Sequence, residues 1–346
     1  MRVVSCNSFG PVANLTIEER PSLPISAGQV RIAVTATGVN FVDGLFVQGL
    51  YQIKPLLPFV PGGEIAGVVT EVGEGVDTHG VGDRVFASTG LGGFASEVLW
   101  PARRVMHTPD GLTDGQAATF VQSYGTAWFA LNNRAKAQAG EWLLVLGAGG
   151  GVGLAAVDVG HALGMHVIAA ASSEPKRAIA LAHGAEAVID TSTEDVKTRA
   201  KELSGGGVHA VYDPVGGGLA EAGLRSLRDD GQLLIIGFAA GEIPRLPANQ
   251  ILLRNRRVTG VDWGGWVGGH QAENEQLLAD VLAAIGRGEL HPVEPTAYAL
   301  DDVAVALQDQ LDRKVTGKSV LVPQNATRCR QRVTSRARPA QLQRKF

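Results

Sequence analysis

Cysteine is nearly missing from these 346 residues: only Cys6 and Cys329 occur. Two cannot build a disulfide framework, and neither stands at a metal-ligand spacing from a partner. Aromatic residues make up just 5%. Long apolar runs are absent too. Glycine and charged residues interrupt every stretch before it reaches the roughly 18 residues a membrane span needs. The opening Met-Arg-Val-Val-Ser-Cys-Asn lacks the apolar run of a secretory signal. No Gly-x-Ser-x-Gly elbow occurs, which removes the usual serine hydrolase signature. None of the eight histidines stands in a constellation with other reactive side chains. The net charge of −3 and pI near 6.3 argue against a nucleic-acid or anionic-membrane binder. A soluble cytoplasmic enzyme is the expectation that remains.

Glycine, by contrast, is abundant at 45 residues, nearly twice the roughly 7% average usage, and no collagen-like period orders it. It clusters where backbone must turn or approach something closely. Hydrophobic residues at 45% suffice for packed cores, and a chain of this length is expected to divide into two domains. Charge is uneven. From Asn325 onward the tail carries Arg328, Arg330, Arg332, Arg336, Arg338, Arg344 and Lys345 and no acid, so the rest of the chain is acidic. Low hydrophobicity and the lack of a period predict a disordered tail over 324–346. Arginines without interleaved aromatics offer charge but no stacking, which favours an incidental extension over nucleic-acid or membrane contact.

The first part of the chain reads as short strands and glycine-rich turns. Gln29 to Thr37 alternates apolar and polar residues, Ile65 to Val72 is a second strand, and Asp83 to Phe86 opens a third. This pattern predicts a small β-barrel or sandwich. A capped helix start follows at Leu112 to Ala118, and Tyr124 to Asn132 has helical spacing. From Trp142 strands and helices alternate through Gln232 to Gly237, with Arg257 to Val261 as a possible sixth strand. That alternation implies a doubly wound parallel sheet. After Asp262 come a helix at Glu273 to Arg287, a strand at Pro295 to Ala299, a short helix at Leu300 to Gln310 and a strand at Ser319 to Val322. These are too few for a domain of their own and are expected to rejoin the first. The predicted division is 1–123, 124–261, 262–323 and the tail.

The strongest local signal follows the strand Leu143 to Leu146. Ala148, Gly150 and Gly153 form Ala-x-Gly-x-x-Gly at a strand-to-helix junction, with Gly151 and Val152 between them. Glycines there let the backbone approach a pyrophosphate, whose charge sits on the helix N-terminus. An NAD site places Asp or Glu at the end of the next strand, about 20 residues on. This chain instead has Ala170-Ala171-Ser172-Ser173-Glu174-Pro175-Lys176. Hydroxyls and a cation suit a 2′-phosphate, so Ser172, Ser173 and Lys176 point to NADP(H). The alternative makes Ser172 a helix N-cap and Lys176 a solvated charge.

Several further segments carry a family resemblance: Gly38 to Asp43 (GVNFVD), Lys54 to Gly63 (KPLLPFVPGG), Gly73 to Val76 with Gly82 to Val85, Val211 to Gly217 (VYDPVGG), Ile236 to Gly241 (IGFAAG) and Gly317 to Leu321 (GKSVL). With the glycine loop, they resemble the zinc-independent quinone oxidoreductase branch of the medium-chain dehydrogenase/reductase superfamily, which includes zeta-crystallin. The match runs in order from residue 1 to about 323. It implies an α/β protein in which a GroES-like β-barrel catalytic domain, made from both chain ends, carries an inserted Rossmann domain. It also implies an active site in the cleft between domains, and a homodimer.

Zinc dehydrogenases of this superfamily place Cys where Asn40 stands and His where Gly63 precedes Glu64, and carry a cysteine-rich lobe that this chain lacks between Cys6 and Cys329. The ligands that catalytic and structural zinc require are therefore not expected. Without a Lewis acid, reduction of an electrophilic acceptor is favoured over alcohol oxidation. The resemblance places Asn40, Asp43 and Tyr51 around nicotinamide and substrate, with Tyr51 holding or protonating the substrate oxygen. The alternative leaves Tyr51 packed on a loop with protons coming from water, and Asn40 and Asp43 as a turn and its cap. The resemblance also sets Thr126 on the cofactor and Gly237, Phe238 and Ala239 beside the nicotinamide ribose, with Asp213 and Val215 as weaker candidates. Asn255, Trp263, Arg313 and Lys318 could touch the cofactor from the returning segment, unless Lys318 is a surface charge. The implied activity is NADPH-dependent reduction of a quinone or an α,β-unsaturated carbonyl. An enoyl-thioester reductase and an NADPH-binding protein with little turnover are the alternatives.

Overall fold

The computed structural model describes residues 1–323; the basic tail and Cys329 lie outside the described residues. The chain forms two compact units. The first comprises Met1–Thr119, Glu294–Asp312 and, among the described residues, Ser319–Pro323; the second comprises Phe120–Val293 and Arg313–Lys318.

The first unit is built on the strand Gln29–Val39, whose alternation buries Val30, Ile32 and Val34. It pairs antiparallel with Glu64–Val72 on one side. On the other side it pairs with Ser319–Val322, Ser319 facing Val39 and Leu321 facing Thr37. The far end of the chain thus completes a seven-stranded sheet begun near its start. Val3, Val30, Ile32, Val69 and Val85 lie in one core cluster, and Val39, Phe59, Leu307 and Leu321 in another. A helix, Phe41–Gln48, follows the long strand directly and is closed by Gly49 in the left-handed region (φ 68°).

The second unit is a six-stranded parallel sheet: Trp142–Leu146, His166–Ala171, Ala187–Asp190, Val208–Asp213, Leu227–Ile235 and Arg257–Gly260. Numbered one to six along the chain, these strands lie in the order 3-2-1-4-5-6. Leu144, Leu146, Ile168, Val211 and Leu233 face one helical layer through Val196, Ala200 and Leu224. The alternate residues Leu143, Val145, Val167, Tyr212 and Leu234 are also fully buried. Cover on both faces accounts for the near-continuous apolar strands. Among the described residues no helix is long and apolar enough to cross a membrane.

Two boundaries differ from the expected ones. The first unit yields to the second at Phe120, where the helix Phe120–Trp128 begins and runs into a π-helical turn, Phe129–Ala135. The return does not start at 262. The helix Gln271–Gly286 buries Leu277, Leu278, Val281 and Ala284 within the second unit, and the chain rejoins the first only at Glu294. Residues 313–318 then revisit the second unit, where Gly317 N–H donates to the Gly149 carbonyl at 2.8 Å.

Candidate active site

In the second unit the loops at the carboxyl ends of the strands converge beside the glycine loop. Gly147 leaves the first strand at φ 62°, and Gly150 caps the helix Gly151–Ala162 with no side chain to spend on its N-terminus. The first amides of that helix have no carbonyl a turn earlier to bind. Close approach explains two of the glycines. A Cβ on Gly153 would lie 2.3 Å from the Gly147 carbonyl oxygen, and one on Gly151 would lie 2.3 Å from the Lys318 side chain. Lys318 is only 5% exposed, so the surface-charge alternative fails for it.

Lys176 crosses the same loop from the other side, its stem filling the space a Cβ on Gly149 would need at 2.3 Å. Its Nζ donates to the Arg313 carbonyl. Desolvation by burial, and then the positive charge of Arg313, holds the ammonium below the ordinary lysine range. Among the described residues Lys176 forms no ion pair with a carboxylate. Ser173, not Ser172, occupies the N-cap of the helix Glu174–Ala182, and its hydroxyl takes no capping bond; Ser172 is exposed. Glu174 is the first helical residue, placing its carboxylate past the strand end. Hydroxyls, two cations and free helix amides fit a phosphorylated dinucleotide.

At the ends of strands four and five, Asp213 is wholly buried. Its Oδ1 accepts from Val215 N and Gly216 N at 2.9 Å each, while Oδ2 has no partner. Burial pushes this carboxyl up and the two amides oppose the shift. Ala239 N donates to Pro214 O at 3.1 Å, which joins the Gly237–Phe238–Ala239 loop to this turn. Val215 reaches the glycine loop, where a Cβ on Gly147 would come within 2.8 Å of it. Thr126 stands half-buried on the helix Phe120–Trp128. Asn255 is misplaced by the sequence reading. It precedes strand six, at the amino edge of a parallel sheet, opposite the glycine loop; Trp263, which follows that strand, lies at the correct end.

In the first unit Asn40, Asp43 and Glu64 are 5%, 1% and 2% exposed. Asn40 is the N-cap of the helix Phe41–Gln48; its backbone N–H donates to Asp43 Oδ2 at 2.8 Å and its Nδ2 to Glu64 Oε2 at 2.9 Å. The cap alternative is therefore realised, and it is embedded in a buried polar group. Glu64 was not singled out from sequence. An acid opening an apolar strand beside Gly63 was the available signal. Tyr51 follows the same helix and packs edge-on against Phe46, ring centroids 4.8 Å apart.

Together these features define an α/β oxidoreductase fold with a GroES-like unit and a dinucleotide-binding unit. The alcohol dehydrogenase GroES-like domain family matches residues 26–110, and the zinc-binding dehydrogenase family matches 151–283. A quinone oxidoreductase-like protein 2 homolog from Nematostella vectensis is 39% identical over 329 residues, covering 92% of this chain and 88% of that one. The Escherichia coli quinone oxidoreductase, solved in complex with NADPH, aligns with a TM-score of 0.84 at 28% identity, covering 93% of this chain and 100% of the other. A solved CurK enoyl reductase aligns with a TM-score of 0.82 at 25% identity, covering 93% and 99%. The chain belongs to the quinone oxidoreductase branch of the medium-chain dehydrogenase/reductase superfamily.

Proposed function

We propose that this chain is an NADPH-dependent, zinc-independent reductase of quinones or α,β-unsaturated carbonyls. The observation that carries the proposal is the glycine loop with Lys176 and Lys318 laid across it, and the Arg313 charge close enough to Lys176 to disfavour its ammonium. The amides of Gly151, Val152 and Gly153 hold the pyrophosphate, against the turn of buried Ala148 and half-buried Gly150. Ser172, Ser173, Lys176 and Arg313 hold the 2′-phosphate. Thr126, Gly237, Phe238 and Ala239 orient the nicotinamide end, and Lys318 adds charge at the loop. The cofactor supplies a hydride when bound.

At the acceptor, Tyr51 holds the oxygen that becomes anionic and donates a proton to it. Asn40 and Asp43, locked with Glu64, position that end of the first unit. Asn40 spends its amide on Glu64 at the position where zinc enzymes of the superfamily carry a cysteine, so the ligand set for zinc is missing there. An acceptor activated by its own conjugation needs only such hydrogen-bond donors and exclusion of water. The CurK likeness favours one second reading, reduction of an enoyl thioester. We also assign the protein to the cytoplasm and to a homodimer. The open edge strand Arg257–Gly260 and exposed Leu252 and Leu253 support the dimer.

The phosphate site is tested by titrating the protein with NADPH and NADH and following cofactor fluorescence. Tighter binding of NADPH by about tenfold or more is expected from two charge-assisted contacts. Equal affinities would contradict the proposed site.

A further inference from the structure

We propose that Trp263 is the residue that selects the shape of the acceptor, giving flat conjugated rings preference over open-chain enones. The inference rests on the reductase reading above. The residues proposed for the phosphate follow strand two, so a bound cofactor would set its adenosine half toward strands one to three. Its hydride end would then be directed toward strands four to six, where the Gly237–Ala239 loop and Trp263 leave the carboxyl ends of the sheet.

Trp263 is held on several sides. Its Nε1 donates to Asn274 Oδ1 at 3.0 Å. Its ring lies so close to Gly125 that a Cβ there would come within 2.8 to 3.2 Å of three indole carbons. Only glycine admits the ring at that distance, and the next residue is Thr126. The short helix Trp263–Val267 is itself fastened. Asp262 Oδ1 accepts from Gly265 N at 2.9 Å, and Trp266 packs between Phe129 and His270 at 4.8 and 4.7 Å. If packing were its whole purpose, the indole would be buried. Trp263 instead remains half-exposed. A rigid indole with its polar edge already bonded offers a flat apolar face at low entropic cost, and aromatic rings stack on such a face. A linear acyl chain gains nothing from it beyond ordinary contact.

The test compares the full-length protein with Trp263→Phe and Trp263→Leu. One readout is the ratio of kcat/KM for a 1,4-quinone to that for an acyclic enone with NADPH. The other is the dissociation constant of a redox-inert naphthol in the presence of NADP⁺, by calorimetry. Trp263→Leu is expected to lower the ratio and weaken naphthol binding by about tenfold each, with Trp263→Phe within about threefold of the parent. Asn274→Ala, which releases the indole without removing it, is expected to shift both in the same direction, and serves if Trp263→Leu does not fold. Unchanged ratios and naphthol affinities in folded variants would overturn the inference while leaving the reductase reading intact. A parent protein that oxidises NADPH with neither acceptor would overturn the reading itself and this inference with it.

Discussion

Lys176 shows how one side chain can be matched to a ligand by its electrostatics. Burial and Arg313 disfavour its ammonium in the free protein; a phosphate brought beside it would favour the ammonium again. Binding then raises this pKa and takes up protons. Affinity for NADPH is expected to be full where Lys176 is already charged and to fall as pH rises through its depressed value. NADH, lacking the phosphate, should show no such slope. Titrations between about pH 7 and 10 check this, and Lys176→Gln is expected to flatten the NADPH curve while weakening it about tenfold. Tyr51→Phe separates the roles open to that residue. A proton donor lost from the site is expected to lower kcat about a hundredfold with little change in NADPH affinity; unchanged kcat would leave Tyr51 a packing residue.

Among the elements, the glycine loop and its helix are the least tolerant. Gly153→Ala must move a Cβ away from the Gly147 carbonyl, at a cost of about 1–3 kcal/mol. A lower Tm and weaker NADPH binding together are expected. The helix is fastened further along by Asp158, 1% exposed, whose Oδ2 accepts from Tyr124 O–H at 2.7 Å and from His291 N at 2.6 Å. Burial, then the Asp158 charge, pushes the Tyr124 phenol well up, so it stays a donor. Asp158→Ala strands both donors and is expected to cost about 2–5 kcal/mol in urea unfolding; Asp158→Asn, which keeps one acceptor, should cost less. Much of this layer was legible in sequence. His166–Ala171 and Ala187–Asp190 fall within the strand–helix alternation expected from Trp142 onward, because apolar runs between glycine and charge punctuation leave little choice. Phe41–Gln48 was not foreseen as a helix, since Gly44 breaks its periodicity; its Asn40 and Asp43 cap was the visible part. Leu227–Ile235 starts five residues before the expected Gln232. Arg228 to Gly231 reads as a turn but forms an irregular strand with Asp230 at φ 62°.

Over the whole molecule, what escaped the sequence is partnership. An amphipathic helix such as Gln271–Gly286 shows that it has an apolar face, not which unit that face will meet. Its residues were expected with the first unit and pack in the second. Residues 313–318 are similar. The resemblance set Arg313 and Lys318 toward the cofactor, but nothing local in the segment announces that Gly317 will bond the Gly149 carbonyl or that Lys318 will lie on Gly151. The buried Glu64 was hidden for the same reason, its partner Asn40 lying on a separate element. The glycine loop, a local signal, was readable directly as a turn from strand into helix. Phosphate-selective reduction is tested by following NADPH oxidation by absorbance with a 1,4-quinone and a simple enone, NADH serving as the control cofactor. Turnover of at least one acceptor with NADPH, well above that with NADH, is the expected result; no turnover with either acceptor, or turnover favouring NADH, would contradict it.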